Sequence, residues 1–409
     1  MASPSSTLGF GEVLKTPAVK RLWIAQLVSV FGDFLAIFAV FSVVTFQLHG
    51  TPTQVSMILV AFLLPLTFVS PVAGVFVDKW NVKATMIASD VLRGFLVISL
   101  LYVRNLWGIY AIFFLLATIS AFFIPAQSVA VRTLAPPGGL MSANALMSQA
   151  IQVSQIVAPA IAGLLVEGLG ANVCFGFDIL SFFVSAALVG TIAIRRERSA
   201  AEPPAKSVLG SMMHGFRFIF SHATISFVMI SMASGMFAVR CFGALLSVYV
   251  RDVLRMESGA FGVLNSLIGL GMISGTQVVR RFAVRTTPQH MVVYGMMGMG
   301  LGVFVTALFG MVTSTVVGML ALGFFATFIF ITANTLVQQE TPPEMLGRVS
   351  SSLMSLLTFT QVISMFIAGP AAETAGIRNL YFASAVMLAG VGAIGLWKLR
   401  SPAPERVSP

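Results

Sequence analysis

Charge is scarce in this chain. Asp, Glu, Lys and Arg together make up 9% of its 409 residues, against about 25% in a soluble domain, too few to cover a water-facing surface. Cysteine is scarcer still: Cys174 and Cys241 allow one bridge at most, which excludes a secreted scaffold held by disulfides. The four histidines, His49, His214, His222 and His290, fall at or near the ends of apolar runs. They are not grouped with carboxylates or cysteines, so neither a metal site nor a hydrolytic triad can be assembled from them. No Gly-x-x-x-x-Gly-Lys-Ser/Thr run occurs, so there is no sign of ATP as a driver. What the chain has in abundance is apolar: 57% of residues, with 35 Phe and 22 Met and a mean hydropathy of +0.95. Such hydrophobicity excludes disorder. The 24 basic residues exceed the 14 acidic ones, which in a soluble protein would suggest nucleic acid. Here the basic residues sit between long apolar runs rather than on one face, so that reading fails. The composition is that of a polytopic helical membrane protein.

A bilayer core of about 30 Å takes about 20 apolar helical residues to cross. Twelve stretches suit: 22–48, 54–77, 84–103, 107–131, 140–166 and 173–194, then 223–250, 259–279, 290–310, 315–337, 348–372 and 378–397. The polar N-terminal segment has no cleavage-site pattern, so the first span is expected to act as its own insertion signal. With the N-terminus inside, eighteen Lys and Arg fall in inside segments. Only Arg104, Arg251, Arg255 and Arg378 fall outside. The positive-inside rule therefore puts both termini in the cytoplasm; the expected location is the inner membrane.

A charged, Pro-containing linker, RRERSAAEPPAK, opens the stretch 195–222, whose second part has the apolar spacing of a helix lying in the interface. It divides the chain into a six-helix half at 1–194 and another at 223–409. A weak repeat joins the halves. Shifting by 206 residues puts Pro136-Pro137 on Pro342-Pro343, Leu140 on Leu346, Gln155 on Gln361 and Gly170 on Gly376. Parallel six-span repeats are a transporter architecture, with substrate near the midplane.

The loop after the second span reads GVFVDKWNVK, with Gly74, Asp78, Lys79 and Lys83. It resembles the loop 2–3 signature of the major facilitator superfamily, Gly-x-x-x-Asp-Arg/Lys-x-Gly-x-Lys/Arg, departing where Asn81 replaces the glycine. The resemblance covers the whole chain. Several stretches look like the drug-efflux branch with macrolide and siderophore exporters: FGDFLAIFAV (31–40), FFIPAQSVAVRTLAP (122–136), SANALMSQ (142–149), HGFRFI (214–219) and PPEMLGRVSS (342–351). It implies an all-α fold of twelve transmembrane helices in two pseudo-symmetric halves. It also implies that Asp78 contacts the opposite half at the start of the eleventh span, near Gly347-Arg348, stabilising the outward-facing state.

Ionisable residues at membrane depth are functional candidates by default. Asp33 lies about 17 Å along the first span at 1.5 Å per residue, on a polar stripe with Gln26 and Ser29. A carboxyl in low dielectric is the chemistry of a proton carrier; the alternative is a carboxylate pinned by an Arg. Asp90 and Arg93, three apart in the third span, read as a buried pair near the cytoplasmic side, grouped here with the conformational switch. Arg93 lies at a depth from which it could reach Asp33. Asp178 is placed near the outer end of the sixth span as structural. Arg240 lies in the seventh span, which the resemblance makes cavity-lining: it could hold an anionic substrate, counter a carboxylate, or snorkel outward.

The fifth span carries a polar stripe, Asn144, Ser148, Gln152, Gln155 and Pro159. Its segment VAPAIAGLL resembles the Gly-Pro-rich motif of antiporters, with Ala158 where a glycine is usual. Gly369-Pro370 in the eleventh span suits a moving gate. Cavity candidates are Gln127, Ser128, Asn334, Thr335 and Gln338, with Phe34 among the aromatics.

The resemblance implies a secondary active transporter rather than an enzyme, exporting amphipathic small molecules against inward protons by alternating access. A lysophospholipid flippase and a proton-coupled importer are the alternatives. The expected partners are a small amphipathic substrate or lipid, protons and the bilayer, with no nucleic acid, no cofactor and no metal. The chain is expected to be monomeric.

Overall fold

The computed structural model describes residues 8–103, 105–194, 223–282 and 286–400, with Arg217, Ile219 and Ser221 between them. The expected interfacial helix at 195–222 therefore lies outside the described residues, apart from those three. A short turn of helix, Phe10–Val13, precedes α1, Pro17–Ser42, which runs on as a π-helical stretch, Val43–Gln47. Next come α2, in two pieces, Pro52–Phe68 and Ser70–Val77, and α3, Val82–Leu100. The first half closes with α4, Leu106–Leu134, α5, Leu140–Leu169, and α6, Ala171–Gly190. The second half has α7, Ala223–Asp252, α8, Ser258–Phe282, α9, Pro288–Phe309, α10, Val312–Glu340, α11, Pro343–Ala375, and α12, Ile377–Arg400. No strand occurs among the described residues.

Among the described residues, ten helices are long and apolar enough to cross a membrane. The two expected spans that fall short do so for separate reasons. α2 is interrupted after its 17-residue first piece. Pro71 has no N–H to offer the carbonyl of Thr67, so the ladder breaks there, and Thr67 Oγ1 instead donates to Leu63 O at 2.9 Å. α3 has 19 residues, but Lys83, Asp90 and Arg93 lie among them.

Side-chain caps fix several starts. Thr51 and Gln54 form a reciprocal capping box at α2. Asn105 Oδ1 accepts from Gly108 N at 2.6 Å at α4. Asn81 caps α3, its Oδ1 accepting from Ala84 N at 3.0 Å. That bond accounts for the departure from the family signature: a side-chain oxygen does at Asn81 what a glycine cannot.

The repeat is visible in the helices. Four helix starts follow their counterparts by 206 residues: 52 to 258, 82 to 288, 106 to 312 and 171 to 377. α4 and α10 also share their last position in that register, 134 and 340. Gly170 and Gly376 end α5 and α11 with the same backbone, φ 87° and ψ 159° against φ 86° and ψ 146°. A positive φ of this kind suits glycine, and it lets each helix turn directly into the next.

Contacts divide the chain into two compact units, Met1–Ala200 with Val250–Ser266, and Ala201–Tyr249 with Leu267–Pro409. In the first unit α1 packs on α5 and α6, α3 on α4 and α6, and α2 on α4. Its core includes Leu22, Ala25, Phe123, Ala126, Leu146 and Val189, and Trp23 Nε1 donates to Leu146 O at 3.1 Å. The end of α7 belongs to this unit: Arg251 donates to Thr45 O at 2.7 Å and to Gly50 O at 2.9 Å. In the second unit α9 packs on α10 and α12. Buried Tyr249 and Tyr381 donate to Thr306 O at 2.9 Å and Phe242 O at 3.2 Å, so both hydroxyls are satisfied inside an apolar core.

Candidate functional site

The first unit holds a buried charge cluster built from α1, α3, α4 and α6. Asp90 and Arg93, one helical turn apart on α3, form a direct ion pair. Ser185 Oγ on α6 donates to the other oxygen of Asp90 at 2.7 Å. Arg93 Nη1 also lies 3.8 Å from Asp33 Oδ2 on α1. Its guanidinium is held between two rings, 4.5 Å from the centroid of Phe123 and 4.4 Å from that of Phe182. Such stacking fixes a desolvated guanidinium that has given up its water. The spacing on each helix makes this possible, since residues three or four apart share a face.

Exposure separates the members of the cluster. The Asp90 side chain is 0% exposed and that of Arg93 5%, whereas that of Asp33 is 35% exposed. Asp33 is therefore the carboxylate through which the cluster meets its surroundings. Gln26 and Ser29, on the same stripe of α1, are buried, and Gln127 of α4 donates to Gln26 Oε1. Those two glutamines are a helix-to-helix bond, while Phe34 is half-buried beside Asp33.

Asp178, read from the sequence as structural near the outer end of its span, lies beside this group. It is buried on α6, and Ser181 Oγ donates to its backbone oxygen at 2.8 Å and to Oδ1 at 3.3 Å. Gly32, which precedes Asp33 in the chain, is where α1 comes up against it. The approach depends on Gly32: a Cβ there would meet Asp178 Oδ1 at 2.7 Å and Ser181 Cβ at 2.9 Å. Asp178, Ser181 and Ser185 lie at i, i+3 and i+7, the spacing that marks the Gln26 stripe on α1, so the signal was present in the sequence. Two carboxyls, Asp33 and Asp90, thus share one guanidinium, with the Asp178 carboxyl held by Ser181 on the neighbouring helix. Buried charge of this kind is costly in a membrane-spanning bundle.

The other sequence candidates are more scattered. Gly74 is half-buried at the end of α2, with Asp78 and Lys79 exposed beyond it. Asp78 makes a contact of its own. Lys83 turns to α6, where its Nζ donates to Gly190 O at 2.6 Å and caps the helix C-terminus. On α5, Gln152 and Gln155 are exposed on one face, and Pro159 is buried. Pro159 lies on the α5 face that crosses α8, where a Cβ on Gly163 would stand 3.1 Å from Gly262 Cα.

In the second unit Arg240 is half-buried, its Nε enclosed with no hydrogen-bond partner. Asn334 and Gln338 are exposed one turn apart on α10, and Asn334 Nδ2 donates to Phe330 O at 2.8 Å. Gly369 is buried and Pro370 exposed in α11. The Arg348 side chain lies outside the described residues.

Comparison with known proteins fixes the family. Residues 22–359 match the profile of the Major Facilitator Superfamily. The chain belongs to that superfamily. It is 24% identical over 381 residues to the uncharacterized MFS-type transporter YfiS of Bacillus subtilis, covering 91% of each chain. It is 25% identical to the multidrug efflux pump Tap of Mycolicibacterium fortuitum, covering 87% of this chain and 90% of Tap. Macrolide efflux protein A of Streptococcus pyogenes is 22% identical, with 90% and 92% covered. The fold matches that of the nucleoside transporter NupG with a TM-score of 0.76 at 12% identity, covering 94% of this chain and 99% of NupG. It also matches a bacterial homolog of the human lysosomal transporter Spinster, TM-score 0.73 at 13% identity, covering 95% and 99%. As a member of the superfamily the protein is a multi-pass membrane transporter, not an enzyme.

Proposed function

We propose that this transporter exports amphipathic small molecules in exchange for protons, by alternating access. The observation that carries the reading is the open position of Asp33 in an otherwise enclosed charge cluster. A proton arriving at Asp33 weakens its hold on Arg93, which Asp90 retains. A proton leaving restores that hold. The ion pair at 3.8 Å is thus made or loosened by one proton, while the stacking of Phe123 and Phe182 keeps the guanidinium in place. Coupling requires only that proton and substrate bind the two states of the transporter with different affinity. The efflux relatives support the outward direction.

In this reading Gln26, Ser29, Phe34, Gln127, Arg240, Asn334 and Gln338 contact substrate as the cavity opens. Gly74, Asp78, Lys79 and Arg348 set the conformational switch with Asp90 and Arg93. Gln152, Gln155, Pro159, Gly369 and Pro370 lie on the helices that bend. Both termini face the cytoplasm.

The test is efflux of a fluorescent amphiphilic cation from cells expressing wild-type or Asp33→Asn protein, with and without a protonophore. Extrusion by wild type alone, stopped by the protonophore, is the expected result. Equal retention of dye in every condition would overturn the proposal.

A further inference from the structure

Away from the charge cluster, the first unit has a cavity of about 530 Å³ on the outer face of α3 and α4. This volume is that of a small-molecule site, about 300–1,000 Å³. Small residues on α3 make the room: Ala84 and Ala88 are exposed one turn apart, with Leu92 a further turn along. Thr118 of α4 faces them, its hydroxyl donating to Phe114 O at 2.8 Å. Thr85 Oγ1 likewise donates to Asn81 O at 2.9 Å. With those hydroxyls turned back to their own helices, the wall offered to an occupant is apolar. At one end the Trp80 indole stacks on Phe122, 5.7 Å between centroids and 14° between planes, and exposed Lys79 adjoins it.

The repeat supplies a control. Shifted by 206 residues, Ala88 becomes Tyr294, and Thr118 and Ile119 become Phe324 and Phe325. In the second unit Phe324 packs against Phe325 at 5.0 Å, and the Phe325 ring lies directly over Gly298, the counterpart of Leu92. The same helical frame therefore accommodates a ring at this position, over Gly298, where the first half has the side of the groove.

We propose that this groove holds one acyl chain of an anionic glycerophospholipid, drawn from the leaflet at the Lys- and Arg-rich end of the bundle. Length, chemistry and charge agree. From Asn81 to Leu92 the groove runs eleven residues along α3, about 16 Å at 1.5 Å per residue. One leaflet of a core of about 30 Å spans about 15 Å. The groove thus ends where the chain of a single leaflet ends. Trp80 stands at the polar mouth, the depth that tryptophan favours at the membrane interface. Lys79 gives the mouth a positive charge beside the headgroup. Lys83 is turned to Gly190, so among the described residues at this mouth Lys79 is the cation beside the headgroup.

Trp80 is its own reporter. The full-length protein is placed in phosphatidylcholine nanodiscs with a minor fraction of either brominated phosphatidylglycerol or brominated phosphatidylcholine. The share of quenching due to Trp80 is taken as the difference from Trp80→Phe. Brominated phosphatidylglycerol is expected to reach Trp80 with about fivefold higher apparent affinity, the scale of one lysine beside an anionic headgroup. Ala88→Tyr with Thr118→Phe, which installs the residues of the second half, is expected to abolish quenching by both lipids. Ala84→Leu serves as a second filling variant. Lys79→Gln is expected to equalise the two lipids without removing quenching. Equal quenching by both lipids in wild type would make the groove ordinary annular surface. A phosphatidylglycerol preference that survives filling would place the headgroup without the chain. Either result overturns the proposal.

Discussion

The two halves of the chain occupy the same helical frame with opposite interiors. At an offset of 206 residues, Asp33, Asp90 and Arg93 fall on Val239, Met296 and Met299, and Asp178 falls on Ser384. Met296 and Met299 are 0% exposed, as deeply placed as the ion pair they replace. One half therefore builds this layer from thioethers, the other from three carboxyls and a guanidinium. Replacing a buried ion pair by packed apolar residues is often neutral or stabilising. The cluster is thus not what the fold requires, since the second half manages without it. A costly feature present in one copy only is explained by the work it does.

Four experiments bear on this contrast. The largest effect is expected from Asp33→Asn, which should reduce dye efflux to the level of cells without the protein. Membrane insertion and the melting temperature of the purified protein should stay near wild type, because Asp33 is the exposed member. Next, Arg93→Met alone should destabilise by about 3–5 kcal/mol, since it leaves Asp90 buried without its cation. Thermal unfolding in detergent would show this, and adding Asp33→Val, Asp90→Met and Asp178→Ser should recover most of the loss. Gly32→Ala should cost about 1–3 kcal/mol in the same assay, because its Cβ meets Asp178 and Ser181 on α6. The counterpart of Gly32 is Ala238, so the reverse change, Ala238→Gly, should matter less. Lys83→Met should be the smallest, about 0.3–1 kcal/mol, for the loss of one charge at the C-terminus of α6.

Much of this was readable from the residues, in proportion to how local the signal is. Hydropathy marked every span, and the offset of 206, inferred from a few prolines, glycines and a glutamine, reappears in four helix starts and in the matched Gly170 and Gly376 corners. The reach of Arg93 to Asp33 followed from rise per residue alone. Other features depend on which helices meet. The approach of Asp178 rests on Gly32 of another helix, and the stacking of Phe182 and Phe123 on Arg93 needs α3, α4 and α6 in contact. No periodicity within one helix carries that information. The break in α2 lies at Pro71, yet an apolar run scores as continuous whether or not its backbone ladder is. Asn81 read as a lapse in a signature until its side chain was seen capping α3.

The most direct measurement is dye efflux driven by an imposed proton gradient in proteoliposomes bearing the four-residue swap, Asp33→Val, Asp90→Met, Arg93→Met and Asp178→Ser. It should be made on protein whose melting temperature matches wild type. The account expects a folded transporter in which the gradient drives no efflux. Gradient-driven efflux at the wild-type rate would show that the cluster is packing after all, and that coupling resides elsewhere.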